Sequence, residues 1–169
     1  MRFPAKIILF GEYGILLKSQ ALAIPYFHFS GSLGFPGESI EANERTKSSN
    51  GELKKFLQYA KDDRDRFGFL NMELLESEID KGIYFESSIP AGSGLGSSGA
   101  VTAALYHRYA LDSAKLEPEE IRNHLAIMES KFHGVSSGID PLTIFLQRPV
   151  LIQETTGISS ADLSSFFND

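Results

Sequence analysis

The stretch IYFESSIPAGSGLGSSGAVTAALYHRYAL, residues 83–111, reads as three elements in a row. Ile83 to Ser88 is a short β-type run of apolar and aromatic residues. From Ser97 to Leu111, Ala100, Ala103, Ala104 and Leu105 favour a helix. Between them lies GSGLGSSGA, residues 92–100, in which four of the first eight residues are Gly and three are Ser. Glycines let backbone N–H groups turn toward a ligand and approach it closely, and a helix N-terminus adds about half a positive charge. A loop this rich in Gly is entropically costly unless a close approach requires it. The junction therefore predicts an anion site, with phosphate the natural occupant.

Three phosphate-binding patterns compete for it. A P-loop of the GxxxxGK[ST] kind fails because no Lys follows the glycines. The dinucleotide fingerprint GxGxxG is matched in spacing by Gly94, Gly96 and Gly99, but its context is wrong. IPAGS intervenes between the strand and the first matching Gly. Asp112 stands at about the right distance for the ribose acid, yet LEPEEI behind it reads as another helix. The third pattern is a Pro followed by a Gly-rich loop that ends in Ser-Ser. In Pro90, Ala91, Gly92, Ser93, Gly94, Leu95, Gly96, Ser97 and Ser98 the backbone would cradle a triphosphate, and a hydroxyl at the helix start would reach its magnesium ion.

Outward from this junction the chain alternates without strict order. Lys6 to Phe10 and Ile15 to Leu17 read as strands around a turn at Gly11 to Gly14. Ala21 to Phe29 is a third strand, broken by Pro25, and Ser30 to Gly37 reads as loop. Leu53, Phe56, Leu57 and Ala60 recur at helical spacing, which predicts an amphipathic helix over Glu52 to Arg66 with KDDRDR as a solvated tail. Met72 to Ile79 fits a short helix or a strand. Pro118, with Glu119 and Glu120 beside it, opens a helix that Gly134 ends. Ile139 to Leu146 reads as a buried helix and Val150 to Ile152 as a strand. The mixture predicts an α+β fold.

Bulk properties narrow the function. The 169 residues suffice for one domain, and 42% hydrophobic content supports a packed core. With no Cys, disulfides and thiolate metal sites are excluded. A net charge of −6 without a basic cluster argues against nucleic acid, including an RNA-binding role. No apolar run approaches the roughly 18 residues of a membrane span. The start, MRFPAKIILFGEYG, lacks the pattern of a signal peptide, so the expected location is the cytoplasm.

PAGSGLGSSGA resembles the second motif of the GHMP kinases, the family of galactokinase, homoserine kinase and mevalonate kinase. PAKIILFGEYGIL, residues 4–16, is similar to that family's first motif. MESKFHGVSSGIDP, residues 128–141, is similar to the segment that the mevalonate-kinase branch builds as E, then HG, then PSG[IV]D. The three motifs occur in the family's order, and the mevalonate-kinase branch is the most similar. Ala5 stands where Gly is usual, Tyr13 where His is usual, and Ser136 where Pro is common. A GAGGGG-like third motif does not occur in these residues. The resemblance implies a GHMP-kinase N-terminal domain over residues 1–169, of the ribosomal-protein domain-2-like type, without the ferredoxin-like C-terminal domain.

It also implies ATP and Mg²⁺ as cofactors and transfer of a γ-phosphoryl group to a hydroxyl of a small acid, most closely mevalonate. Another GHMP kinase, acting on phosphomevalonate or homoserine, and a non-catalytic nucleotide-binding domain are the alternatives. The expected partner is the small-molecule substrate, with a homodimer as the possible assembly. Asp140 is the implied acceptor of the hydroxyl proton, although SGIDPL also resembles a helix cap. Lys6 would stand beside it and help orient the hydroxyl. Glu12 and Tyr13 would line the acceptor pocket. Ser98, with Ser97 as alternate, and Glu129 would hold the metal. At 100° per residue Glu129 lies about 65° from the stripe of Ile121, Leu125, Met128 and Phe132, on the flank of a buried face. A carboxylate at a core edge suits Mg²⁺, which takes one or two carboxylates plus phosphate and water. His28, His107, His124 and His133 show no metal-ligand spacing and are expected at the surface or its boundary.

Overall fold

The computed structural model describes residues 1–11, 20–37, 44–153 and 157–160. The expected strand at Ile15 to Leu17 lies outside them. The described chain runs β1 (Phe3–Phe10), β2 (Ala21–Gly34), α1 (Glu44–Asp62), α2 (Met72–Asp80), β3 (Tyr84–Ser87), α3 (Ser97–Tyr109), a single 3₁₀ turn (Ser113–Lys115), α4 (Pro118–His133), α5 (Ile139–Leu146), β4 (Val150–Gln153) and β5 (Gly157–Ser160). The fold is α+β, as the sequence predicts. Among the described residues no helix is long and apolar enough to cross a membrane.

All strand pairings are antiparallel, and β2 is the hub. Its length corrects the reading of Pro25 as a break and of Ser30 to Gly34 as loop, while residues 35–37 are loop as expected. β1 covers one edge of β2, while the other edge is shared. β4 takes Ala21 to Ala23 and β3 takes Gly31 to Gly34. Pro25 pairs with Lys6 of β1 in the stretch between those two partners, where its missing N–H disturbs only one ladder. The register jumps between Pro4↔Ser30 and Ala5↔Tyr26, so Phe27, His28 and Phe29 bulge out, and Phe27 is exposed.

The helices α3 and α5 pack on β1 and β2, and α1 packs on β3. α1 begins eight residues before the expected Glu52, through ERTKSSNG, and stops at Asp62 before the charged tail ends. Ser, Asn and Gly are weak helix formers, so tertiary contacts hold this end. Ser49 Oγ donates to Phe85 O and accepts from Phe85 N, both at 2.9 Å. Asn50 Nδ2 donates to Ile79 O and Ile83 O at 3.0 and 2.7 Å. α2 resolves the ambiguity at Met72 to Ile79 in favour of helix, capped by Asn71, whose side chain accepts from Leu74 N at 3.0 Å. α3 ends two residues short of Leu111, because Ala110 forms a bridge with Leu70.

The core has two parts. The larger joins Leu53, Phe56 and Leu57 of α1, Leu75 and Ile79 of α2, Tyr106 and Tyr109 of α3, and Ile121, Leu125 and Met128 of α4. The smaller places Ala100, Ala103 and Ala104 of α3 against Phe3, Ala5 and Ile144. Small side chains there let α3 lie close to β1 and α5. Gly99 is the limiting point, since a Cβ on it would sit 3.0 Å from Ile144 Cδ1 and 3.1 Å from Pro141 N. This close crossing brings the N-termini of α3 and α5 together.

Candidate active site

Between those two N-termini and α1 lies a cavity of about 550 Å³. Its polar wall is the whole of Pro90 to Ser98, with Lys6 and Asp140. Its apolar lining is supplied by Leu53, Phe56, Phe85, Val101 and Phe132, and Ser49, Glu52 and His133 line it as well.

The loop is built to present amides. Gly92, Gly94 and Gly96 have φ of +71°, +75° and +80°, while Ser93 and Leu95 between them do not have positive φ. Left-handed glycines at alternate positions turn the backbone repeatedly, as a loop that wraps an anion requires. The loop holds its shape through Ser93 Oγ, which donates to Pro90 O at 2.7 Å, and through Lys6 N, which donates to Leu95 O at 3.0 Å. Gly96 is the N-cap of α3 and makes no side-chain cap bond, and no acidic residue occupies the first turn. The leading amides of α3 lack intrahelical acceptors, so the positive end of the helix is left for a ligand at the cavity wall. Gly96 is required twice over: its φ is left-handed, and a Cβ would lie 2.8 Å from Lys6 Cγ.

The predicted catalytic pair is joined. Lys6 Nζ lies 2.9 Å from Asp140 Oδ2, with the lysine side chain 5% and the aspartate 29% exposed. Asp140 is not the helix cap that SGIDPL suggests. Gly138, at φ +73°, is the N-cap of α5, and Asp140 is the second residue of the helix. A buried cation beside a part-exposed carboxylate leaves the aspartate able to face a hydroxyl in the cavity.

Ser98 and Glu129 also meet. Glu129 is buried, at 4% exposure, and Ser98 Oγ donates to its Oε1 at 3.2 Å. Ser136 Oγ donates to its Oε2, and Gly138 N donates to Ser136 Oγ at 3.0 Å. Ser136 therefore ties Glu129 to the α5 N-terminus. Burial pushes the Glu129 carboxyl above the ordinary carboxylate range. The Ser136 hydrogen bond opposes this, the charge of Asp140 reinforces it, and Ser98 and His133 oppose it. A cation beside it would relieve that cost. Among the described residues no group of three or more His, Asp or Glu converges as a self-sufficient metal cage. One carboxylate and one hydroxyl beside a glycine loop match the sparse protein ligation of Mg²⁺, so the donor set fits that ion.

His133 is exposed, as expected, and is joined to the candidate site. Its Nε2 lies 2.9 Å from Ser98 Oγ. The signal was its place at i+4 from Glu129 on one helix. Ser49, Glu52 and Phe85 were not expected here, because they meet only through packing of α1 and β3, and Phe132, expected in the buried stripe of α4, is instead exposed and lines the cavity. Glu12 and Tyr13 lie outside the described residues.

In this α+β domain the N-terminus of α3, the glycine-rich loop before it and the Lys6–Asp140 pair share one cavity. The profile of the GHMP kinases N terminal domain matches residues 55–148, more than half of the sequence, and the chain belongs to the GHMP kinase family. It is 31% identical over 160 residues to a mevalonate kinase of Thermococcus sibiricus, covering 82% of this chain and 46% of that protein. It is 31% identical over 163 residues to a mevalonate kinase of Thermococcus onnurineus, with the same coverage. The fold is similar to the crystal structure of the Methanococcus jannaschii mevalonate kinase, with TM-score 0.54 and 18% identity over 96% of this chain and 55% of that one. It is similar also to that of L. major mevalonate kinase in complex with R-mevalonate, with TM-score 0.55 and 18% identity over 94% and 51%. The chain spans about half the length of the curated relatives it matches.

Proposed function

We propose that residues 1–169 form the N-terminal, nucleotide-binding domain of an ATP-dependent kinase that phosphorylates a hydroxyl of a small acid, with mevalonate the first candidate. The observation that supports this most is the meeting of the glycine loop, the Lys6–Asp140 pair and Ser98 around one cavity, with Glu129 hydrogen-bonded behind Ser98. The triphosphate would lie along residues 92–98. The base would lie against the apolar lining near Phe56, Phe85 and Phe132, where Glu52 offers an acceptor to an exocyclic amine.

Ser98 and Glu129 would hold Mg²⁺, which when bound offsets phosphate charge. The chain's own residues would do the rest. Asp140 would accept the proton of the acceptor hydroxyl as its oxygen bonds to the γ-phosphorus and the bond to the ADP oxygen breaks. Lys6 would hold Asp140 in place and stabilise charge on the transferring group. Glu12 and Tyr13 remain acceptor-pocket residues on the strength of the motif alone.

The test is ATP-dependent phosphorylation of mevalonate, phosphomevalonate and homoserine by the protein expressed with its uninterrupted reading frame. One of the three should be turned over. Asp140→Asn should lower kcat by about 10³-fold while ATP affinity stays within about threefold. Unchanged turnover would remove Asp140 from the reaction.

A further inference from the structure

Ser98 carries one hydroxyl hydrogen and two lone pairs. Its geometry accounts for two of the three. The hydrogen goes to Glu129 Oε1 at 3.2 Å, and Glu129 Oε2 is already taken by the Ser136 hydroxyl. His133 Nε2 lies 2.9 Å from the same Ser98 oxygen. With Glu129 ionised and the serine hydrogen on its carboxylate, the imidazole completes this contact by donating. Ser98 then keeps one free lone pair.

We propose that His133 is a positioning residue that carries its proton on Nε2 and fixes the rotamer of Ser98, so that this lone pair faces the cavity. This inference rests on the nucleotide and metal reading above and deepens it. Glu129 and His133 are one helical turn apart on α4, so a single rigid element grips the serine from two sides. Without His133 the hydroxyl would be held by one long hydrogen bond and could rotate. The free lone pair matters to a hard cation and much less to a bare triphosphate, which is bound by the amides of the loop. Loss of His133 should therefore weaken nucleotide binding only when the metal is present.

The experiment compares ATP binding by calorimetry in Mg²⁺ and in EDTA for the wild type, His133→Phe and His133→Gln. Phe keeps the ring but removes the donor, whereas Gln places an amide N–H near the position of Nε2. We expect His133→Phe to weaken binding about fivefold in Mg²⁺ and less than twofold in EDTA, with His133→Gln restoring most of the loss. Less than a twofold loss in Mg²⁺, or an equal loss in both conditions, overturns the proposal. A second readout covers the case of a variant that does not fold. Long-range ¹H–¹⁵N spectra of the wild-type imidazole should show the Nε2–H tautomer for His133, and the Nδ1–H tautomer overturns the assignment. If the wild type binds no ATP, the functional reading fails, while the tautomer still decides the role given to His133.

Discussion

At the C-terminal end of α3, Tyr106 and Tyr109 are fully buried, and Glu78 of α2 is enclosed by partners. Arg108 Nε and Nη2 each donate to it at 2.5 Å, and Tyr109 Oη donates at 2.8 Å. The hydrogen bond from Arg108 holds the Glu78 carboxyl below its ordinary range, and burial raises the Tyr109 phenol. At the N-terminal end of the same helix, Lys6 and Glu129 are as deeply buried, yet the side chains joined to them line a cavity. There burial pushes the Glu129 carboxyl up. One end closes its charges into a satisfied network, and the other leaves Lys6, Asp140 and Ser98 on the wall of a cavity that the glycine loop also lines, with Glu129 joined to Ser98 behind it. Closed networks serve stability, whereas a carboxylate held at a cost beside an open cavity serves a ligand.

Substitutions can break this contrast. The largest stability effect belongs to the closed end. Glu78→Ala should cost about 3 kcal/mol, because it strands the buried Tyr109 hydroxyl and removes two charged hydrogen bonds from the part-exposed Arg108 guanidinium. That corresponds to a fall in Tm of roughly 6–12 °C for a domain of this size. Calorimetry should find ATP affinity within twofold of wild type, and a large loss of affinity would show that the two ends are coupled. Next comes Gly96→Ala, at about 2 kcal/mol, from its left-handed φ and the collision with Lys6. Here ATP affinity should fall at least about tenfold, because Lys6 is the cation it displaces.

Glu129→Gln should have the opposite sign on stability. A carboxyl whose folded pKa is raised gives stability that is present below its unfolded value and lost as pH rises through the folded one. Removing it should therefore stabilise the apo protein by about 1 kcal/mol at neutral pH. The gain should shrink as pH falls through the folded pKa and be gone below the ordinary glutamate value of 4.5, as read from denaturant midpoints across pH. The smallest effect is the pH slope of the closed end. The lowered pKa of Glu78 means that its contribution is present above the unfolded value and lost as pH falls through the folded one, and Glu78→Gln should flatten that acid limb.

Much of this contrast was legible in the sequence. The strand–loop–helix junction, the boundaries of α4 and α5, and the flank position of Glu129 all follow from local signals: glycine spacing, a first-turn Pro and helical periodicity. β2 was not legible beyond Phe29, because Ser30, Gly31 and Ser32 carry loop chemistry and are held in a strand by β1 and β3. The first turns of α1 were hidden for the same reason, since Ser49 and Asn50 reach across to β3 and its approach. His133 was dismissed for want of metal-ligand spacing, although its partner is a serine 35 residues away. Residues joined only by packing leave no short-range trace, which is also why the apolar lining of the cavity went unseen.

The central claim is that the open end of α3 holds a triphosphate and its metal. Crystals grown with a non-hydrolysable ATP analogue and Mn²⁺, measured at the manganese edge, test it directly. The account predicts an anomalous peak within ligand distance of both Ser98 Oγ and a Glu129 carboxylate oxygen, with the triphosphate along residues 92–98. A peak away from both side chains, or a triphosphate bound outside the loop, would contradict it.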